Sequence, residues 1–177
     1  MRSQRLDFYP AEGLRPTGNR IRETLFNWLA PYIEGAACLD LFAGSGALSF
    51  EALSRGAKSC TALDNNPAVI AQLRANQSHF KASNLHLVDT DSRAYLKNTG
   101  AKQPFDIVFI DPPFASSLQR QTSLLLTNNH WLSPNALIYS ELPISEPSLT
   151  TPNWQLLKEK VAGEVRYCLH QYIELSA

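Results

Sequence analysis

From Gly35 onward, short apolar runs alternate with stretches in which apolar residues recur every three or four positions. That alternation of two periods predicts strands and helices in turn, and hence a parallel sheet wrapped by helices. The strands are "ACLDLF" (37–42), "CTALD" (60–64), "LHLVD" (85–89), "FDIVFI" (105–110) and "NALIYSEL" (135–142). Between them lie helices at "ALSFEALSRG", stopping at Gly56, after "NNP", at "SRAYLK" and at "LQRQTSLLLT". Asn66 can cap the second of these helices, with Pro67 in its first turn. Ahead of the first strand, Ile21, Leu25, Trp28, Leu29 and Tyr32 fall on one face of a further helix, which Thr17 could cap. The ending breaks the rhythm. In "WQLLKEKVAGEVRYCLHQYIEL" two strand-like stretches are joined by "AGE", too short for a helical crossover, which predicts an antiparallel hairpin closing one edge of a seven-stranded sheet. Pro-rich "ELPISEPSLTTP" reads as a loop inside the domain, because the strands after it are needed to finish the sheet.

A chain of 177 residues with 44% apolar and 18% charged content is that of an ordinary globular protein of one domain. Residues 1–17 are expected to form an arm and residues 18–177 the α/β core. Lys+Arg and Asp+Glu are both 16, so net charge predicts no polyanionic partner. The distribution is less even: Arg2, Arg5, Arg15, Arg20 and Arg22 crowd the first 22 residues against Asp7 and Glu12. Such a cluster serves either as a solvated tail or as a phosphate-contacting patch. Cys38, Cys60 and Cys168 each sit in an apolar run and read as small buried hydrophobes. His79, His86, His130 and His170 lack metal-ligand spacing, and no metal is expected. With neither a bilayer-length apolar run nor a signal-peptide pattern, the expected location is the cytoplasm, without membrane contact, as a monomer.

Ligands of open parallel sheets bind beyond the carboxyl ends of the strands. There the first strand delivers Asp40, Phe42 and Ala43-Gly44-Ser45-Gly46, the second Asp64 and Asn65, the third Asp89 with Asp91 and Ser92, and the fourth Asp111. The glycines permit close approach to the backbone, and the next helix offers free N–H groups. Asp64, 18 residues after Gly46 at the next strand end, suits both hydroxyls of a ribose. A dinucleotide loop would carry a third glycine where Ser49 stands, and no G-x-x-x-x-G-K-[ST] phosphate loop is present. An acidic rim repels pyrophosphate but suits a cationic, phosphate-free nucleoside such as S-adenosylmethionine. A divalent metal is the competing reading, weakened by acids spread along the sheet edge rather than clustered.

The fourth strand runs into Asp111-Pro112-Pro113-Phe114. The lone pair of a nucleobase amino group is delocalised into the ring, so methylating it needs help. Two acceptors for its two hydrogens favour a pyramidal nitrogen with that lone pair freed. The Asp111 carboxylate and the Pro112 carbonyl can be those acceptors, held by two prolines that fix φ. Phe114 can stack on the base, a contact worth roughly 1–3 kcal/mol. Preorganised acceptors and positioning would then carry the catalysis. A proline-stiffened turn with no ligand is the plainer alternative.

These residues are similar to a known family. "DPPF" resembles the [D/N/S]-PP-[aromatic] motif of amino-methyltransferases, and "LDLFAGSGALSFEALSRGA" their cofactor loop. "GLRPTGNRIRETLFNWL" (13–29) closely resembles the leading segment of the RsmD-type bacterial 16S rRNA guanine-N2 methyltransferases, and the likeness runs over nearly the whole chain from Gly13. It implies a three-layer, Rossmann-like class I methyltransferase fold, with S-adenosylmethionine as donor. The acceptor it implies is a guanine of 16S rRNA, position 966 in the family, in the small ribosomal subunit or its assembly intermediate. By position, it implies Asp40, Phe42, Ala43, Gly44 and Gly46 about the methionine end, Asp64 and Asn65 at the ribose and adenosine, and Asp91 and Ser92 at the adenine. Asp111, Pro112, Pro113 and Phe114 would hold the target guanine, turned out of its stack. Arg15, Thr17, Arg20 and Arg22 would meet RNA. The family carries a basic, glycine-containing hairpin before "GLRPT", where this chain has "MRSQRLDFYPAE". Rival readings are an amino-methyltransferase for adenine N6 or a protein glutamine, a non-catalytic nucleic-acid-binding module, and a nicotinamide-dependent oxidoreductase.

Overall fold

The structure is a computed structural model and describes residues 16–98, 103–113 and 116–175. Its elements run α1 (Pro16–Leu29), β1 (Ala37–Asp40), α2 (Ala47–Ser54), β2 (Ser59–Asp64), α3 (Pro67–Phe80), β3 (Leu85–Asp89) and α4 (Ser92–Lys97). They continue β4 (Phe105–Ile110), α5 (Ser116–Asn128), β5 (Leu132–Pro143), β6 (Trp154–Ala162) and β7 (Val165–Tyr172). The strands form one sheet in the order β3-β2-β1-β4-β5-β7-β6. Pairings from β3 to β5 are parallel, while β7 runs antiparallel to both β5 and β6. The predicted hairpin is therefore present, turning at Gly163 and Glu164 and leaving β6 as the edge.

Both sheet faces are covered, which is why the central strands read as apolar runs. Cys38, Ile107, Phe109 and Leu137 point into a core shared with Leu25, Phe26, Leu29, Phe50 and Leu73 of α1, α2 and α3. Leu39, Val108, Ile110 and Ile138 point the other way, against Leu96, Leu126 and Trp131. Each such side chain, fully buried, stabilises the fold by about 1.5–3 kcal/mol. All three cysteines are buried and unpaired, as their apolar surroundings predicted.

Several element boundaries differ from expectation. α1 begins at Pro16, whose fixed φ suits a first turn, so Thr17 lies inside the helix and not at its cap. Its apolar face is Ile21, Leu25, Phe26 and Leu29; Tyr32 lies past the helix end and is exposed. β1 stops at Asp40 rather than Phe42, because Ala43 already turns to donate its N–H to the Leu63 carbonyl. β5 starts at Leu132, before the expected Asn135, through a bulge in which Asn135 adopts φ +62°. At the cap of α3 the expectation holds: the Asn66 side chain accepts from the Ala68 N–H at 3.0 Å.

β1 pairs with β2 on one side and with β4 on the other, so the chain reverses direction across the sheet at this point. The crevice beyond the β1 and β4 ends is where such a sheet binds its ligand. α1 reaches over it. The helix is anchored by Trp28 stacked on Tyr167 at 5.4 Å and Phe26 against Phe109 at 6.0 Å, which brings Gly18 and Arg22 to the crevice wall.

Candidate active site

A cavity of about 750 Å³ opens at that crevice. Asp40, the last residue of β1, forms part of its floor and is 1% exposed. Its Oδ2 accepts a hydrogen bond from Ser49 Oγ at 2.6 Å. This gives Ser49 a positive reason to stand where a dinucleotide loop has glycine: it holds the buried carboxylate. Burial outweighs that bond and raises the Asp40 pKa to about 6, with a smaller push from Asp64. A carboxyl whose folded pKa lies above its ordinary 3.8 contributes stability that is full below pH 4 and lost as pH rises through 6. Asp40→Asn should thus gain about 3 kcal/mol relative to the parent between pH 4 and pH 8. Denaturant melts at the two pH values test this, and equal shifts at both would contradict it.

The turn after β1 is shaped by two glycines with different tasks. Gly46 takes φ +79° at the start of α2, and a Cβ there would lie 2.6 Å from Leu73 Cδ2 and 2.9 Å from Phe50 Cε2. Gly44 takes φ +52°, and a Cβ there would meet nothing within 4 Å, because it would project into open space at the cavity lining. Asp64 joins this loop to the next: Oδ2 accepts from the Gly44 N–H at 3.1 Å and Oδ1 from the Asn66 N–H at 2.9 Å. Each oxygen keeps a lone pair, so the oriented carboxylate can still accept from two adjacent hydroxyls. Phe42, Ala43 and Asn65 complete this wall.

From the third strand the cavity receives Asp91 and Ser92, whereas Asp89 is not among its lining residues. Asp91 caps α4, accepting from the Arg93 and Ala94 N–H groups, and it also binds the Arg93 guanidinium. These bonds, led by the one from the Arg93 side chain, hold its carboxyl below the usual range. Oδ1 is saturated by them, leaving Oδ2 the better placed oxygen for a ligand. Ser92 is buried, its hydroxyl bonded to the Leu41 carbonyl, so its side chain serves the fold.

Asp111, Pro112 and Pro113 line the cavity from β4, which flanks β1 on the side away from β2. Asp111 keeps exposed surface at the cavity mouth, yet the protein groups crowded around its carboxyl, followed by the nearby Glu141 and Asp40 carboxylates, raise its pKa to about 8. Phe114 lies outside the described residues. One cavity is thus lined both by Asp64 at the end of β2 and by the aspartate-proline turn after β4, on either side of β1.

The family model described as conserved hypothetical protein 95 matches residues 1–171. Ribosomal RNA small subunit methyltransferase D of Haemophilus influenzae is 49% identical over 172 residues, 96% of this chain and 89% of that protein. The Escherichia coli protein of the same name is 48% identical, over 96% of this chain and 85% of that protein. This chain belongs to that family. The solved yhhF protein of Escherichia coli superposes on it with a TM-score of 0.83, at 47% identity, covering 87% of this chain and 86% of that one. The N-methyltransferase NodS from Bradyrhizobium japonicum shares the fold, with a TM-score of 0.70 at 15% identity. The fold is therefore the class I methyltransferase fold that the sequence resemblance implied.

In this member of the family, the arginines expected to meet RNA are divided. Arg20 is exposed, Arg22 is half-buried and lines the cavity, and Arg15 and the Thr17 side chain lie outside the described residues. Among the described residues, no three His, Cys, Asp or Glu side chains are grouped to hold a metal. No helix among them is long and apolar enough to cross a membrane.

Sequence reasoning missed Glu141. It lines the cavity near the end of β5, and its Oε1 accepts from the Tyr139 hydroxyl at 2.6 Å. Burial raises its pKa, opposed by the Tyr139 bond. The rule that found the other four strand ends would have found it too, had it been applied to "IYSE".

Proposed function

We propose that this protein transfers a methyl group from S-adenosylmethionine to the exocyclic N2 of a guanine in 16S rRNA, at the position equivalent to guanine 966, within the small ribosomal subunit. The observation that carries the reading is the single cavity shared by Asp64 and the Asp111-Pro112-Pro113 turn. The activity in the names of the Haemophilus influenzae and Escherichia coli relatives supports it.

The residues present fit the donor. Asp64 is pinned by two backbone N–H groups and can accept from a ribose diol, while Gly44 leaves room for a ligand beside its backbone. Asn65, Asp91 and the Ser92 backbone would flank the adenosine, and Asp40, Phe42, Ala43 and Gly46 would frame the methionine end. When bound, S-adenosylmethionine supplies an electrophilic methyl group on a sulfonium.

At the turn after β4, ionised Asp111 would accept one N2–H of the guanine and the Pro112 carbonyl the second, which localises the nitrogen lone pair. Pro113 holds that turn, and Phe114 would stack on the base. Such preorganisation stabilises the transition state without reorganisation at the moment of reaction. The proton released from N2 on methylation has the Asp111 carboxylate beside it. Arg20 and its neighbours at the head of α1 would grip phosphates. A formal charge of zero argues for a small-subunit particle rather than naked RNA as substrate, in the cytoplasm where ribosomes are assembled.

Purified protein and radiolabelled donor, offered small-subunit particles from cells lacking the gene, DNA and a release factor, test the reading. Label should enter the particle RNA, and mass mapping should place it on guanine N2. Label confined to DNA or protein would overturn it.

A further inference from the structure

The reaction above gives Glu141 no part, although it is a half-buried carboxylate inside the same cavity. Its placement is deliberate in structural detail. Tyr139, two residues earlier on the same face of β5, is fully buried against Phe109, with ring centroids 6.4 Å apart. From there its hydroxyl donates to Oε1. Burial and the adjacent carboxylate keep that phenol protonated, so it remains a donor. The Glu141 carbonyl is bonded by the Gln119 side-chain amide of α5, which fixes the backbone as well. Among the described residues Oε2 accepts no hydrogen bond, which leaves it available to a ligand.

β5 lies beside β4 in the sheet, with Ser140 paired to Ile110, so Glu141 and Asp111 extend from neighbouring strand ends. They are close enough for the Glu141 charge to help raise the Asp111 pKa. Two carboxylates on one wall are more than a single amino group requires. They suit an edge that presents donors on two adjacent atoms, and guanine has such an edge, with ring N1–H beside the exocyclic N2–H₂. Adenine presents an amino group beside a bare N1 lone pair, which a carboxylate repels.

We propose that Glu141 is a specificity residue that accepts the N1–H of the target guanine while Asp111 engages N2, with Tyr139 holding the Glu141 carboxylate in place. This inference rests on the reading of guanine N2 as acceptor. A site built to hydrogen-bond a donor rejects an analogue lacking it strongly, because its buried polar group is then left unpaired.

2-Aminopurine separates the two functions, since it keeps the 2-amino group but carries a lone pair at N1. Particles assembled on RNA with guanine or 2-aminopurine at the methylated position provide the measurement, as a ratio of kcat/KM. The parent should favour guanine by about 100-fold or more. Glu141→Gln can turn its amide to donate to N1, and its ratio should fall by at least about tenfold. Tyr139→Phe, which frees the carboxylate to rotate, should lower the ratio in the same direction by a smaller factor. Calorimetry with S-adenosylmethionine should give parental affinity for both variants, showing that the fold and donor site survive. If both acceptors slow equally and the ratio is unchanged in both variants, Glu141 is structural and the inference fails while guanine methylation stands. If the parent methylates neither particle, the functional reading fails with it.

Discussion

Asp111→Ala should lower kcat by about 10²–10³-fold, the usual effect of deleting one preorganised group that acts in the transition state, while S-adenosylmethionine binds as before. The variant removes the acceptor proposed for the base and leaves untouched the Gly44-Asp64-Asn66 hydrogen bonds proposed to shape the donor site. Asp64→Ala should show the converse. It deletes the proposed acceptor for the ribose diol, a charge-assisted pair of bonds worth roughly 1.5–3 kcal/mol each, so Kd for the donor should rise about 100-fold or more. Turnover at saturating donor should change far less. Calorimetry and single-turnover methylation separate the two, and a loss of donor affinity in Asp111→Ala would refute its assignment to the base. pH adds a second signature. The Asp111 carboxyl, raised to about 8, accepts only when ionised, so parental kcat/KM should climb with pH through that range. The limb belongs to the Asp111 and Glu141 carboxyls together, so in Asp111→Ala it should move to lower pH, as Glu141 then titrates without its charged neighbour.

Gly46→Ala should be the most damaging small change to stability. The added methyl would sit 2.6 Å from Leu73 Cδ2 and 2.9 Å from Phe50 Cε2, and neither can yield, since Leu73 and Phe50 are both 1% exposed. Overpacking of this kind costs about 1–3 kcal/mol, and a left-handed backbone with a Cβ a further ~1–2 kcal/mol. The sum corresponds to a fall in Tm of about 5–15 °C for a chain of this length. Gly44→Ala supplies the contrast. Its Cβ would carry the same ~1–2 kcal/mol left-handed cost at φ +52° but meets no protein atom within 4 Å. The fall in Tm should therefore be clearly smaller than for Gly46→Ala, while the proposed placement of the donor beside this turn predicts weaker donor binding. Matching Tm losses for the two variants would show that the loop's glycines are not divided between packing and binding.

Much of this is legible in the sequence alone. The carboxylates at 40, 64, 91 and 111 all line one cavity, because a parallel sheet sends every strand's carboxyl end to the same rim, and strand ends are marked locally by where apolar runs stop. The Asn66 cap and the closing hairpin were readable for the same reason: each is set by residues within a few positions of one another. The apolar runs themselves reported burial on both sheet faces.

What the sequence withheld depends on neighbours distant along the chain. Ser49 looked like a missing glycine, and its hydrogen bond to Asp40 exists only once α2 folds back over β1. Arg22 belonged by charge to an RNA-facing cluster, but Trp28 and Phe26 dock α1 so that this arginine turns to the cavity while Arg20 stays outside. Glu141 is 30 residues from Asp111 in the chain, and the two become one acidic wall because β5 pairs beside β4. Local pattern therefore determined which chemical groups this protein carries to its rim. Which of them face one another was decided by strand order and helix docking, since those arise from packing among residues that no short stretch of sequence contains together.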